Sequence, residues 1–394
     1  MNQRKVAYNI IYKTISDSSY TNLLKRKELD KLEAVQRPFV NNVINGVLKN
    51  YEYLEFNLLE HVNKCNIRNK IILIMALYEI FYLKKERFAV TNEYVKLAEN
   101  EYEKGFINSV LRNFDELVAS KDEHINKNLP SWIYNLLSKQ YSKDELSLIL
   151  DNYSRIPKVY YHINSRKCDI NSLDDITKIN EKIFISDKNI LNSDEFKNGY
   201  FYVQDINASK LVDELSINEN DRFIDICSAP GSKLFNALDI VKEENAFAND
   251  LYENRVNLIK EKASILGYNN INYLNIDATE IDKHLDIKFD KILLDVPCSG
   301  LGVIGRKPDI KFHIRPESLD ELQDIQAKIL ESASKLLKDN GLLLYSTCTL
   351  NKKENRKQIE KFLKSHDNFI IIKDNTIINL EGDMFYHCLI KKVI

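Results

Sequence analysis

From about residue 200 onward, short apolar runs recur and helical stretches separate them. The runs are Phe223–Ile226, Ala246–Asn249, Ile271–Ile276, Lys291–Leu294 and Leu342–Tyr345. Strands alternating with helices in this way predict parallel βαβ units. Ile292-Leu293-Leu294 and Leu342-Leu343-Leu344 are apolar without a break, as in strands covered on both faces. In such a sheet, groups just past the carboxyl ends of the strands line the ligand crevice. The helix before the last of these strands is well marked. Ser318 and Glu321 fit a capping box, Leu322, Ile325, Ile329, Ala333 and Leu336 give an apolar stripe, and Gly341 reads as the stop. Phe369–Ile372 and Met384–Ile390 read as an antiparallel edge.

The first part of the chain has a different period. Val6, Ile10 and Ile11, then Phe39, Val43, Ile44, Val47 and Leu48, then Ile72, Leu73, Met75, Ala76, Leu77 and Ile80 follow helical spacing. A polar stretch at 119–130 ending in Pro130 reads as a linker. Helices are expected near Pro130-Ser131-Trp132 and Ser142-Lys143-Asp144-Glu145, and a strand at Val159–Ile163. The expected division is an all-α domain over 1–128, a small α+β connector over 129–200 and an α/β domain over 201–394.

Bulk composition excludes more than it assigns. With 56 basic and 58 acidic residues the net charge is −2, so no global basic field draws in polyanions. Local patches would have to hold a nucleic acid. No apolar run reaches the roughly 20 residues that cross a bilayer, and Met1-Asn2-Gln3-Arg4-Lys5 leads into an amphipathic helix rather than a signal peptide. The six cysteines are scattered, with no close pair at metal-ligand spacing. That predicts reduced thiols, no metal and a cytoplasmic setting. A monomer is the default expectation.

Two of those cysteines stand where a crevice is expected. Cys298 lies in Asp295-Val296-Pro297-Cys298-Ser299-Gly300, and Cys348 in Ser346-Thr347-Cys348-Thr349. A free cysteine is usually core filling, and Cys65, Cys168 and Cys388 keep that reading. A pair at two strand ends suggests covalent chemistry on an electrophilic ring. Pyrimidine C5 is a poor nucleophile, and thiolate addition at C6 makes it enamine-like and able to take a methyl group. Many amino-group methyltransferases carry Asn/Asp-Pro-Pro-Tyr at the position of Asp295, so a thiol there argues for carbon as acceptor.

The turn Asp225-Ile226-Cys227-Ser228-Ala229-Pro230-Gly231-Ser232-Lys233 lets backbone approach a ligand closely. It is not the dinucleotide pattern G-x-G-x-x-G. It suits S-adenosylmethionine, which has no diphosphate. Asp250 is placed to accept from ribose hydroxyls and Asp277 to receive the adenine amino group. The cofactor set is then Cys227 to Lys233 with Asp250, Arg255, Asp277 and Asp295. Arg306, Lys307 and Lys311 read as a basic cluster for RNA phosphate.

These residues resemble the RNA (cytosine-C5) methyltransferase family of the RsmB/Sun type. Its signatures are similar to Asp225–Lys233, Asp295–Gly300, Ser346–Thr349 with Glu354-Asn355, Arg306–Lys311 and Val203-Gln204-Asp205. Gln36–Val40, Thr91–Val95 and Gly105–Arg112 resemble its NusB-like amino-terminal domain. Ser228, Ser232 and Leu234 depart from the family's turn. The resemblance implies a Rossmann-like class I methyltransferase domain behind a NusB-like RNA-binding domain. It implies methylation of a cytosine in 16S ribosomal RNA, with Cys348 as nucleophile, Cys298 assisting release, and Asp295 at the base edge. A non-catalytic RNA-binding assembly factor is the rival class, and the intact cysteines disfavour it.

Overall fold

The computed structural model describes residues 2–17 and 19–394, so Met1, the first residue of the expected helical domain, and Ser18 lie outside the described residues. The chain forms two compact units, Met1–Lys139 with Lys307–Arg315, and Gln140–Arg306 with Pro316–Ile394.

The first unit is helical. Its helices include Gln3–Ser16, Arg37–Lys49, Tyr51–His61, Ile67–Phe81, Arg87–Val95 and Glu101–Arg112. Ile67–Phe81 is apolar nearly all round, and Ile71 to Leu77 are wholly buried, so this helix is the centre of the unit. Val40, Val43, Ile44, Val47 and Leu48 face it from one helix, and Val6, Ile10 and Ile11 from another, as their spacing predicts. The central helix also buries Glu79. Arg4 pairs with it at 2.7 Å, and Tyr94 Oη donates to it at 2.8 Å, so the charge is matched. Residues 119–130, expected as a linker, are folded into this unit. Asn126 Oδ1 accepts from Ser120 N and its Nδ2 donates to Ser120 O, both at 2.8 Å. Short polar side chains that satisfy their own backbone build such turns, and composition alone reads them as linker.

The second unit holds two sheets. The smaller has strands β1 (Tyr161–Ile163), β2 (Thr177–Lys178), β3 (Ile183–Ile185) and β4 (Phe201–Val203), in the order β2-β3-β1-β4. The larger has β5 (Phe223–Asp225), β6 (Ala246–Asn249), β7 (Asn272–Leu274), β8 (Phe289–Asp295), β9 (Leu337–Thr347), β10 (Phe369–Ile377) and β11 (Phe385–Lys392). Its order is β10-β11-β9-β8-β5-β6-β7. Pairings from β7 to β9 are parallel, and β11 lies antiparallel between β9 and β10, so the expected edge hairpin is present. This is the expected Rossmann-like α/β architecture. The chain steps outward from β5 to β7, then returns to β8 on the other side of β5. That reversal is the switch point at which open α/β sheets bind ligands.

Three local expectations change. Helix Ser318–Lys335 starts one residue earlier than a Ser318 cap requires: Glu317 is its N-cap, without a side-chain bond. Its stripe is shifted too, because Ile325 is exposed and Gln326 is buried. Gly341 does not stop that helix. It lies inside β9, where residues 338–341 bulge out between the Phe289–Leu337 and Lys291–Leu342 pairs, with Asn340 at φ 62°.

Candidate active site

The turn after β5 is built around Gly231, at φ 96°, where a Cβ would come within 2.8 Å of the Phe235 ring. It places Cys227 and Ala229 on the wall of a cavity of about 350 Å³ at the switch point. Asp250, Arg255, Asp277 and Asp295 from the expected set also line it, as do Leu251, Ile325 and Ile329. Asp250 is buried, accepts from Ala229 N at 3.2 Å and pairs with Arg255 at 3.4 Å. Asp277 caps the short helix after β7 through Thr279 N at 2.9 Å. Ser228, Pro230, Ser232 and Lys233 shape the turn from behind, with Gly231 N donating to Ser228 O at 2.7 Å.

These residues fit S-adenosylmethionine. Carboxylates stand at two successive strand ends for ribose and adenine, and apolar Leu251, Ile325 and Ile329 suit a purine face. Asp225, which ends β5, is buried and does not line the cavity. Burial first, and the Asp295 carboxylate second, push the Asp225 carboxyl up to about 7 from an ordinary 3.8. Between those values the folded chain keeps a proton that the unfolded chain has lost, so stability falls as pH rises through the window. Denaturant titrations should show the wild-type chain losing up to about 3 kcal/mol between pH 5 and pH 8, and Asp225→Asn losing none of it. Identical pH dependence in the two chains refutes the shift.

Beyond the cavity lie the two thiols. Asp295 ends β8, Cys298 follows three residues later, and Cys348 follows β9 directly. Their sulfurs are 3.3 Å apart, and both residues are half-buried. The bond to Cys348 and then burial push the Cys298 thiol well up, so Cys298 keeps its proton. Asp295 Oδ2 is 2.6 Å from Lys233 Nζ, and its Oδ1 accepts from Ser346 Oγ at 3.2 Å. Burial works against the Lys233 ammonium, but Asp295 first, together with Cys348 and Asp225, outweighs it and raises its pKa. Cys227 lines the cavity, and its thiol is driven up by burial, so it stays neutral there.

The expected phosphate cluster is not assembled as one. In the second unit, Arg306 Nε bonds Asp383 at 3.0 Å and its Nη2 bonds Asp205 at 2.9 Å. In the first unit, Lys307 is exposed but Lys311 is buried, with Nζ 2.6 Å from Glu52 and 2.8 Å from Asn128 O. Burial lowers the Lys311 pKa and raises that of Glu52, each opposed by the other's charge. Lys311 is thus a buried brace. Lys311→Ala leaves Glu52 without its cation and should cost the chain about 3–5 kcal/mol, read as a lower melting temperature. Unchanged melting with weakened RNA binding would restore the phosphate role.

Among the described residues no group of three or more His, Cys, Asp or Glu side chains could hold a metal ion, and no helix is long and apolar enough to cross a membrane. Sequence reasoning gave no role to Glu354, Gln326, Ser299 or Thr349, which lie buried around the two cysteine loops. Two local signals were present: a hydroxyl residue directly follows each cysteine, and Glu354 stands in the Glu354-Asn355 pair of the family signature.

The chain matches known proteins along both units. The 16S rRNA methyltransferase RsmB/F family model matches residues 212–382, and the NusB family model matches residues 1–116. The chain is 29% identical over 403 residues to the probable ribosomal RNA small subunit methyltransferase B of Bacillus subtilis (strain 168), covering 93% of this chain and 89% of that protein. The ribosomal RNA small subunit methyltransferase B of Yersinia enterocolitica is 29% identical over 353 residues, 82% of each chain. Among solved structures, PH0851 has a TM-score of 0.80 at 20% identity, covering 100% of this chain and 99% of that one. NSun6 from Pyrococcus horikoshii with SFG has a TM-score of 0.61 at 18% identity, covering 68% and 99%. At those identities the likeness to solved structures is one of fold. The family models and the cavity geometry agree: the chain carries an S-adenosylmethionine-dependent methyltransferase domain matching the RsmB/F model over residues 212–382, and a NusB-family domain in its amino-terminal part.

Proposed function

We propose that this chain methylates C5 of a cytosine in 16S ribosomal RNA through a transient bond between Cys348 and C6. The relatives act by name on small-subunit ribosomal RNA, which supports the substrate class. The observation that carries the chemistry is the pair of sulfurs 3.3 Å apart at adjacent strand ends, beside a carboxylate that lines the donor cavity.

Cys348 Sγ bonds to C6, and the π electrons of C5=C6 move toward C5 and the N3/N4 edge. Asp295, held by Lys233, faces that edge and stabilises the charge that gathers there. S-adenosylmethionine, when bound, supplies an electrophilic methyl group for C5. A base then takes the C5 proton, the electron pair re-forms C5=C6, and Cys348 leaves as thiolate. The Cys298 thiol, donating to that sulfur, assists its departure. The target base is unstacked for this, since C6 is covered in a helix. The helical unit grips the RNA by shape and phosphate contacts. Bisulfite sequencing of 16S RNA from a deletion strain tests the reading. One cytosine should lose protection and regain it on complementation; full protection at every site in the deletion strain refutes the reading.

A further inference from the structure

The mechanism needs two thiols on different loops held within a hydrogen bond of each other. One residue past the sulfurs, a buried hydrogen-bond network joins the two loops.

Ser299 follows Cys298, and Thr349 follows Cys348. Their hydroxyl oxygens are 2.6 Å apart, repeating the sulfur pair one residue on. Ser299 Oγ also donates to Glu354 Oε1 at 2.6 Å. Its single proton is spent there, so Thr349 must donate to Ser299. Glu354 Oε1 takes a second donor, Asn351 Nδ2, at 3.0 Å. Glu354 Oε2 accepts from Ser299 N at 2.9 Å and from Gln326 Nε2 at 3.0 Å. Gln326 Nε2 also reaches Pro297 O at 2.9 Å. Glu354 is wholly buried, and Tyr345 Oη ties its backbone to β9 at 2.7 Å. Each carboxylate oxygen therefore meets one donor from the Cys298 loop and a second from a different element: Asn351 in the Cys348 loop, or Gln326 in the helix Ser318–Lys335. Only an acceptor fits there. An amide in its place would turn hydrogens toward two donors in either orientation.

We propose that Glu354 is a positioning residue: its carboxylate locks the two cysteine loops in register and so sets the spacing on which adduct formation and release depend. This rests on the reading of Cys298 and Cys348 as the working pair.

The test uses the full chain carrying Glu354→Gln. Turnover should fall about 10²-fold, as for small misplacements of reacting groups, with the RNA KM and the S-adenosylmethionine Kd within about twofold of wild type. A second readout needs no substrate. Diamide should close a Cys298–Cys348 disulfide quickly in the wild-type chain and at least about tenfold more slowly in Glu354→Gln, because that rate reports sulfur spacing. Should Glu354→Gln fail to fold, Thr349→Val removes the relay hydroxyl without touching charge. It should slow both processes, and Thr349→Ser should recover them. Wild-type turnover and disulfide rate in Glu354→Gln, or in Thr349→Val where the first does not fold, overturn the proposal. If Cys348→Ala keeps turnover while Glu354→Gln slows the disulfide, the positioning stands and the catalytic reading fails.

Discussion

With Cys348 replaced by Ala, methyl transfer to RNA falls by about 10⁴- to 10⁶-fold, the range expected when a covalent catalyst loses its nucleophile. No other described thiol can substitute. Cys298 is 3.3 Å away but keeps its proton, and Cys227 is neutral on the cavity wall. Without addition at C6 the C5 carbon is unreactive, so orientation alone rescues little. Cys348 is not among the cavity-lining residues, so the variant should bind S-adenosylmethionine as the wild type does. It should also form no adduct with 5-fluorocytosine RNA. Turnover within about tenfold of wild type would remove Cys348 from the reaction.

Cys298→Ala has a different signature. Attack needs only Cys348, so the bond to C6 still forms. Release loses the neighbouring thiol that donates to the departing sulfur, and turnover falls about 10²- to 10⁴-fold. The consequence is a protein–RNA adduct that survives SDS without any fluorinated base. The double variant Cys298→Ala with Cys348→Ala should leave none. Rapid turnover with no adduct in Cys298→Ala assigns release to another group.

How far the sequence carried depended on the range of the interactions. The parallel sheet, the turn at Gly231, the strand-end acids and both thiols were legible because each is a local pattern within about a dozen residues. Glu354 stood within a recognised pair, Glu354-Asn355, yet its role depends on Ser299, 55 residues away. Lys311 was misread for the same reason: its partner Glu52 is 259 residues distant, and nothing near Lys311 announces a buried carboxylate. Ile325 was read as core because it is apolar, yet it lines the cavity, while Gln326 is buried because its amide donates to Glu354 and to Pro297 O. The bulge at 338–341 was taken for a helix end because Asn-Gly favours both.

The segment Lys307–Arg315 belongs to the helical unit although it is encoded far into the remainder of the chain. Lys311 supplies the counter-charge for Glu52 there, and Phe312 packs edge-on against Tyr51 with ring centres 5.3 Å apart. During synthesis the amino-terminal helices therefore emerge from the ribosome without one of their own packing pieces. They can complete their interior only after Arg315 has left the exit tunnel, late in the synthesis of the chain.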